Sequence, residues 1–99
     1  MEKILYLTLK KKWFDMIESG IKTEEYREIK PYWTKRLCKE GTTSPQNGKY
    51  DVVEFRNGYQ KDCPKMTFKL ENISIGCGKQ EWGAEKNVVY YVLKLGKRL

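Results

Sequence analysis

Histidine is absent from this chain of 99 residues, and cysteine occurs only three times. Without histidine, the Ser-His and Cys-His pairs of common nucleophilic hydrolases are excluded. The cysteines, Cys38, Cys63 and Cys77, are widely spaced and form no CxxC pair. Because no histidine is present to complete a metal site, zinc is not expected. The sequence therefore predicts no bound metal and no cofactor, with the thiols reduced.

Long hydrophobic runs are also missing. The first apolar stretch, Leu5 to Leu9, includes a tyrosine and a threonine and continues directly into Lys10-Lys11-Lys12. It resembles neither a secretory signal nor a membrane span. Gly76-Cys77-Gly78 lacks the Lys-Ser/Thr pair that a phosphate-binding loop needs. We expect a cytoplasmic protein with no membrane partner.

Basic and aromatic residues, in contrast, are abundant. Twenty Lys and Arg against 13 Asp and Glu give a formal net charge of +7. Such an excess favours a polyanionic partner, because neutralising phosphates releases counterions. The alternative is a basic surface that serves solubility alone. Seven Tyr, three Trp and three Phe supply apolar surface for a core, and the length fits one domain over residues 1–99.

Hydrophobic periodicity predicts an α+β fold. Strands are expected over residues 4–9, 21–29, 50–56 and 87–95, with a further alternating series from Met66 to Ile75. Helices are expected over residues 10–19, with Gly20 as the stop, and from Pro31 to near residue 41. Reversed parity near Glu71-Asn72 predicts a bulge, which is common where a sheet curls. The expected fold is a small β-barrel of about five to six mostly antiparallel strands, with two short helices near the N-terminus.

Three charged residues, Lys22, Glu25 and Arg27, follow the first helix stop. If they converge on a cleft, Glu25 would accept hydrogen bonds from a nucleobase edge and Arg27 would orient that carboxylate. Lys22 would hold a phosphate or carbonyl oxygen, or act as a base if it were desolvated. The alternative is an exposed ion-pair ladder worth ~0–1 kcal/mol. Spacing alone favours this ladder.

Two later stretches carry further candidate ligand-binding residues. Arg56 and Asn57 are of types that read base edges, and Tyr59 is of a type that stacks on a base. The alternative is a hairpin turn in which Asn and Gly serve only backbone geometry. Trp82 offers an aromatic plate beside Glu81. Its alternative is a tryptophan folded back over the core.

A pattern of the form G-x-K-x-x-E-x-R runs from Gly20 to Arg27, after a helix that carries Trp13 and Ile17. With the stretches 55–59 (FRNGY) and 81–85 (EWGAE), it makes the whole chain resemble an ASCH domain, a branch of the PUA-like β-barrel superfamily. The resemblance is to small single-domain members from bacteria and phages. It implies a PUA-like barrel whose signature residues line a cleft beside the first helix, and binding of RNA or nucleotides.

One subgroup of that family hydrolyses the acyl amide of acylated cytidine nucleosides. It uses a Lys and a Thr of the signature region and a later Glu. Lys22 matches this Lys, but Glu25 stands in place of the Thr, and Thr23 lies only one step after the Lys. Three glutamates compete for the later position: Glu54, Glu71 and Glu81.

Three functions remain as hypotheses. The leading one is an RNA- or nucleotide-binding module that uses the charged cleft. The second is a metal-independent hydrolase of modified nucleosides or of RNA, with Lys22 and Glu25 as its catalytic residues. The third is a protein-interaction module with Tyr32, Trp33 and Trp82 as exposed anchors. Sequence leaves the oligomeric state open.

Overall fold

The computed structural model describes residues 2–99, in which five β-strands and two α-helices occur. The strands are β1 (Ile4–Thr8), β2 (Glu24–Arg27), β3 (Val52–Arg56), β4 (Lys65–Cys77) and β5 (Val89–Arg98). The helices are α1 (Lys11–Glu18) and α2 (Pro31–Leu37), and a short 3-10 turn spans Gln80–Trp82. The predicted α+β class is therefore confirmed. None of the helices in residues 2–99 has the length and apolar character needed to cross a membrane.

All five strands belong to one curled sheet with the order β1-β3-β4-β5-β2. The β1–β3 pair is parallel and the other three pairs are antiparallel, so the sheet is mostly antiparallel, as predicted. The edge strands β1 and β2 are joined by a side chain, because Arg27 Nη2 donates to the Thr8 carbonyl at 3.4 Å. We call this gap between β1 and β2 the seam.

Strand β4 contains the predicted irregularity. Its register with β5 shifts between Phe68 and Leu70 and again between Leu70 and Asn72. Gly96 on β5 makes room there, since a Cβ on it would overlap the Glu71 side chain. Before the bulge the even-numbered residues Met66, Phe68 and Leu70 are buried, whereas past it the odd-numbered Ile73 is buried. Ile75, near the end of the strand, is exposed. The bulge thus changes which side chains face the core and helps the sheet to curl.

Strand β5 is apolar on both faces, as predicted, and contributes to two hydrophobic clusters. One face joins the main core through Tyr91, Leu93 and Leu95. The other face forms a second cluster, which consists of Tyr26, Trp82, Ala84, Tyr90 and Val92. This second cluster includes Tyr26, which precedes Arg27 on β2, so it supports the site described below.

Strand β2 is shorter than the predicted range 21–29. Gly20 has a φ of +85°, and its N–H donates to the Ile17 carbonyl at 3.1 Å. The Lys22 N–H also turns back, to the Met16 carbonyl at 3.0 Å. Because these donors are used by the end of α1, the sheet ladder begins only at Glu24. Regular strand alternation therefore does not extend to Lys22.

We expect Gly78→Ala to destabilise the fold. A Cβ on Gly78 would lie 2.7 Å from both the Ala84 Cβ and the Tyr26 Cζ. Relief of this overlap should lower the free energy of unfolding by about 1–3 kcal/mol in urea titrations. The matched control is Gly76→Ala, since a Cβ on Gly76 meets nothing within 4 Å. Equal losses in the two variants would contradict the packing argument.

Candidate functional site

A cleft of about 450 Å³ opens beside the seam. All three tryptophans of the chain line it, together with the three charged residues of the signature region. These six lining residues are Trp13, Trp33, Trp82, Lys22, Glu25 and Arg27. We call this cavity the aromatic cleft.

Glu25 accepts hydrogen bonds through both of its carboxylate oxygens. Its Oε1 accepts from Lys22 Nζ at 2.8 Å and from the Tyr26 backbone N–H at 3.0 Å, and its Oε2 lies 3.0 Å from Arg27 Nη1. Lys22 is only 2% exposed and Glu25 only 4%. The exposed ladder that spacing favoured is therefore wrong. Lys22 and Glu25 form a buried pair, and the partly exposed Arg27 joins them to form what we call the buried cluster.

Lys22 also binds the distant 3-10 turn. Its Nζ donates to the Trp82 carbonyl at 2.8 Å, and it lies 4.9 Å from the Trp13 ring centroid. The turn can present this carbonyl because Gly83 has a φ of +102°, and a Cβ on Gly83 would lie 3.0 Å from the Trp13 ring. The ammonium group is thus enclosed by a carboxylate, a carbonyl and an aromatic face.

Arg27 links the buried cluster to the seam. Its Nη1 donates to the Tyr26 carbonyl at 2.9 Å as well as to Glu25, and its Nη2 donates to the Thr8 carbonyl. The guanidinium carbon lies 5.2 Å from the Trp33 ring centroid. Arg27 therefore fixes the carboxylate, the edge of β1 and one wall of the cleft at the same time.

The cluster presents more donors than acceptors to a ligand. A carboxylate has about four acceptor sites, and Glu25 uses three of them. An ammonium group has about three N–H donors and a guanidinium about five. Lys22 uses two of these donors, and Arg27 uses three. Because the Lys22 side chain is only 1% exposed and that of Arg27 is 16% exposed, the accessible donors belong mainly to Arg27, and they suit carbonyl or phosphate oxygens.

Three predicted binding residues lie outside the aromatic cleft. Arg56 Nε donates to Glu54 Oε2 at 2.8 Å, and Asn57 Nδ2 donates to the Leu9 carbonyl at 3.1 Å. Tyr59 is 93% exposed on the turn between β3 and β4. These residues lie at the end of β3 or just after it, and this position does not bring them to the charged cluster.

Trp82 combines the two alternatives that the sequence left open. It is buried in the second hydrophobic cluster, and it also lines the cleft. Trp33 lines the cleft as well, although the sequence indicated only an exposed anchor. Its position in the first turn of α2, two residues after Pro31, gave no signal that it would lie beside the seam.

A further glutamate, Glu85, lines the cleft, whereas the three glutamates that the resemblance left in competition do not. Its backbone N–H donates to Tyr90 Oη at 2.9 Å, which ties this loop to β5. Sequence reasoning missed Glu85 because the loop gives no periodic pattern. Among residues 2–99, no group of three His, Cys, Asp or Glu side chains is placed to hold a metal ion, and the three cysteines are unpaired.

Comparisons with protein-family models, curated proteins and solved structures gave no match to this chain. Function must therefore be argued from the cleft and its chemistry.

We expect Glu25→Gln to destabilise the protein strongly. The substitution keeps the shape but leaves Lys22 and Arg27 without their counter-charge in a buried site. Breaking a buried ion pair typically costs about 3–5 kcal/mol. Urea unfolding should show a loss of this size.

The matched control is Glu28→Gln. Glu28 forms an exposed pair with Lys30 at 2.9 Å, and exposed pairs contribute about 0–1 kcal/mol. If the two substitutions lower the free energy of unfolding equally, the buried cluster does not stabilise the fold in this way.

The phenol of Tyr26, which lines the cleft, ionises only at alkaline pH. Burial, the largest cause, raises the pKa of Tyr26 to about 12, and its hydroxyl donates to Glu24 Oε1 at 2.9 Å. In the unfolded chain the pKa of the phenol is about 10. Because the folded-state pKa is the higher one, this contribution to stability is complete below about pH 10 and is lost as the pH rises to about 12.

We therefore expect Tyr26→Phe to remove one phenol from the late part of a phenolate absorbance titration. In denaturing urea, the tyrosines of wild type and variant should all titrate at about pH 10. An unchanged late amplitude in the folded variant would contradict the assignment to Tyr26.

Proposed function

We propose that this protein binds nucleotides or RNA and holds one base in the aromatic cleft. The observation that carries the proposal is the placement of all three tryptophans around one cavity that Lys22 and Arg27 also line. A volume of about 450 Å³ lies in the usual range of small-molecule sites. Stacking of a base on an aromatic side chain contributes ~1–3 kcal/mol.

The donors of the cluster define the polar contacts in this proposal. Arg27, whose side chain is 16% exposed, donates to a carbonyl or phosphate oxygen of the ligand, and the enclosed Lys22 adds its positive charge to the wall behind it. Glu25 orients both cations and keeps one acceptor site for an amino group on the base edge. The carboxylate is thus mainly a positioning group, which modifies the base-reading role expected from sequence.

Charge balance favours a base over a polyphosphate inside the cleft. Three cations and three anions line it: Lys10, Lys22, Arg27, Glu25, Glu28 and Glu85. A neutral base therefore fits the cavity, while attraction for the phosphate backbone comes from the net charge of +7 on the whole chain.

The resemblance to ASCH domains supports the same proposal. That resemblance implies a PUA-like barrel with the signature residues in a cleft beside the first helix. A curled sheet and a cleft that includes Trp13 of α1 are compatible with such a fold. We infer a PUA-like relationship on this basis.

Binding is favoured over hydrolysis. Lys22 Nζ donates to Glu25 and to the Trp82 carbonyl, whereas a general base must accept a proton. Thr23, the nearest hydroxyl in sequence, is exposed and does not line the cleft. Turnover of acylated cytidine that is abolished by Lys22→Ala would instead favour the hydrolase.

The protein-interaction hypothesis loses two of its three anchors. Trp82 is buried and Trp33 is half-buried, so only Tyr32 is exposed as that hypothesis requires. Both tryptophans are already used as cleft walls.

Tryptophan fluorescence provides a direct binding test, because every tryptophan lines the cleft. We expect nucleoside monophosphates and short single-stranded RNA to quench it. The RNA affinity should fall with salt at a log–log slope of about −0.7 per phosphate neutralised. Arg27→Gln should weaken binding roughly tenfold or more, since hydrogen bonds to charged groups contribute about 1.5–3 kcal/mol.

The matched control is Arg98→Gln, which removes an exposed arginine 4.0 Å from Glu18 and outside the cleft. It should bind the monophosphates like wild type. The proposal fails if no ligand quenches the fluorescence, or if the RNA affinity is independent of salt.

A further inference from the structure

A second aromatic surface lies on the outer side of Trp33. Tyr6, Tyr32, Tyr50 and Arg36 surround a shallow cavity of about 260 Å³, and Trp33 lines both this cavity and the aromatic cleft. Tyr6 and Tyr32 are each 55% exposed. We call this surface the tyrosine platform.

Arginines lie against both exposed rings of the platform. The guanidinium carbon of Arg36 is 3.5 Å from the Tyr32 ring centroid, and that of Arg56 is 5.0 Å from the Tyr6 ring centroid. Arg36 Nη1 also donates to the Tyr32 carbonyl at 3.0 Å, which holds it over the ring. None of the described residues that line the platform cavity is acidic. Arg56 is also paired with Glu54, so the platform combines flat aromatic faces with the positive charge of Arg36.

Trp33 makes the platform and the cleft continuous. Tyr32 and Trp33 meet edge to face with ring centroids 4.8 Å apart. On the cleft side, Arg27 lies over the Trp33 ring. A continuous series of contacts thus runs from Arg27 in the cleft, through Trp33 and Tyr32, to Arg36 on the platform.

We propose that the tyrosine platform binds the nucleotides next to the one in the cleft, so that the ligand is a single-stranded RNA rather than a free nucleotide. This inference rests on the proposed function. Exposed aromatic rings stack on unpaired bases, and neighbouring arginines neutralise the phosphates between them. A mononucleotide has one base and does not occupy both surfaces. The RNA therefore gains affinity from the platform that a mononucleotide cannot gain.

The test compares two ligands with one double variant, Tyr6→Ala/Tyr32→Ala. Fluorescence anisotropy measures binding of a labelled single-stranded RNA of about seven nucleotides, a length within common site sizes. Tryptophan quenching measures binding of a nucleoside monophosphate. We expect the RNA affinity to fall about tenfold or more, and the monophosphate affinity to stay within about twofold. Thermal melting checks that the variant folds.

Two further variants make the test specific. Tyr59→Ala removes an exposed tyrosine that belongs to neither surface, and it should keep the wild-type RNA affinity. Arg36→Gln keeps the rings and should make the log–log salt slope for RNA less steep by about 0.7, the effect of one lost phosphate contact.

Equal RNA affinity of wild type and the double variant overturns the inference and leaves the platform to a protein partner. Loss of monophosphate binding in the double variant also overturns it, because the two surfaces would then not be separate. If wild type binds the monophosphate, and binds RNA no more tightly than the monophosphate, the inference fails and the proposed function stands. If wild type binds neither ligand, the proposed function itself fails.

Discussion

The carboxylate of Glu25 is the group on which the geometry of the site depends. It binds Lys22, which follows α1, and Arg27, which ends β2. Through these cations it connects indirectly to the carbonyls of Trp82 and Thr8. Buried charges are tolerated only when they are paired and hydrogen-bonded. Every buried side-chain N and O atom among residues 2–99 has a hydrogen-bond partner, so the cluster meets this condition.

A buried charge cluster is not needed to stabilise a small domain. Well-packed apolar residues of similar volume are often as stable as a buried ion pair, or more so. The main core supplies such packing elsewhere, with Val53, Phe55 and Leu93 completely buried. Lys22, Glu25 and Arg27 instead bring hydrogen-bond donors between aromatic walls, which an apolar cluster cannot do. This difference supports our proposal that the cluster binds a ligand.

Local features of the chain were predictable, and long-range ones were not. The helix stop at Gly20 and the bulge near Glu71 follow from residue types and periodicity over a few positions. The contact between Lys22 and the Trp82 carbonyl spans 60 residues, and no periodic pattern signals it. A regular strand from residue 21 would place Lys22 and Glu25 on opposite faces. The chain turns back to α1 before the ladder starts, so this alternation does not apply to Lys22.

The seam explains why the site forms where it does. Edge strands carry unpaired backbone groups that a protein must satisfy or cover. On β1 the Thr8 carbonyl accepts from Arg27, and the neighbouring Leu9 carbonyl accepts from Asn57. The Arg27 side chain thus bridges β1 and β2, the two edge strands, which are not paired through their backbones. The same side chain therefore satisfies a carbonyl at the edge of β1 and lines the cleft beside the tryptophans.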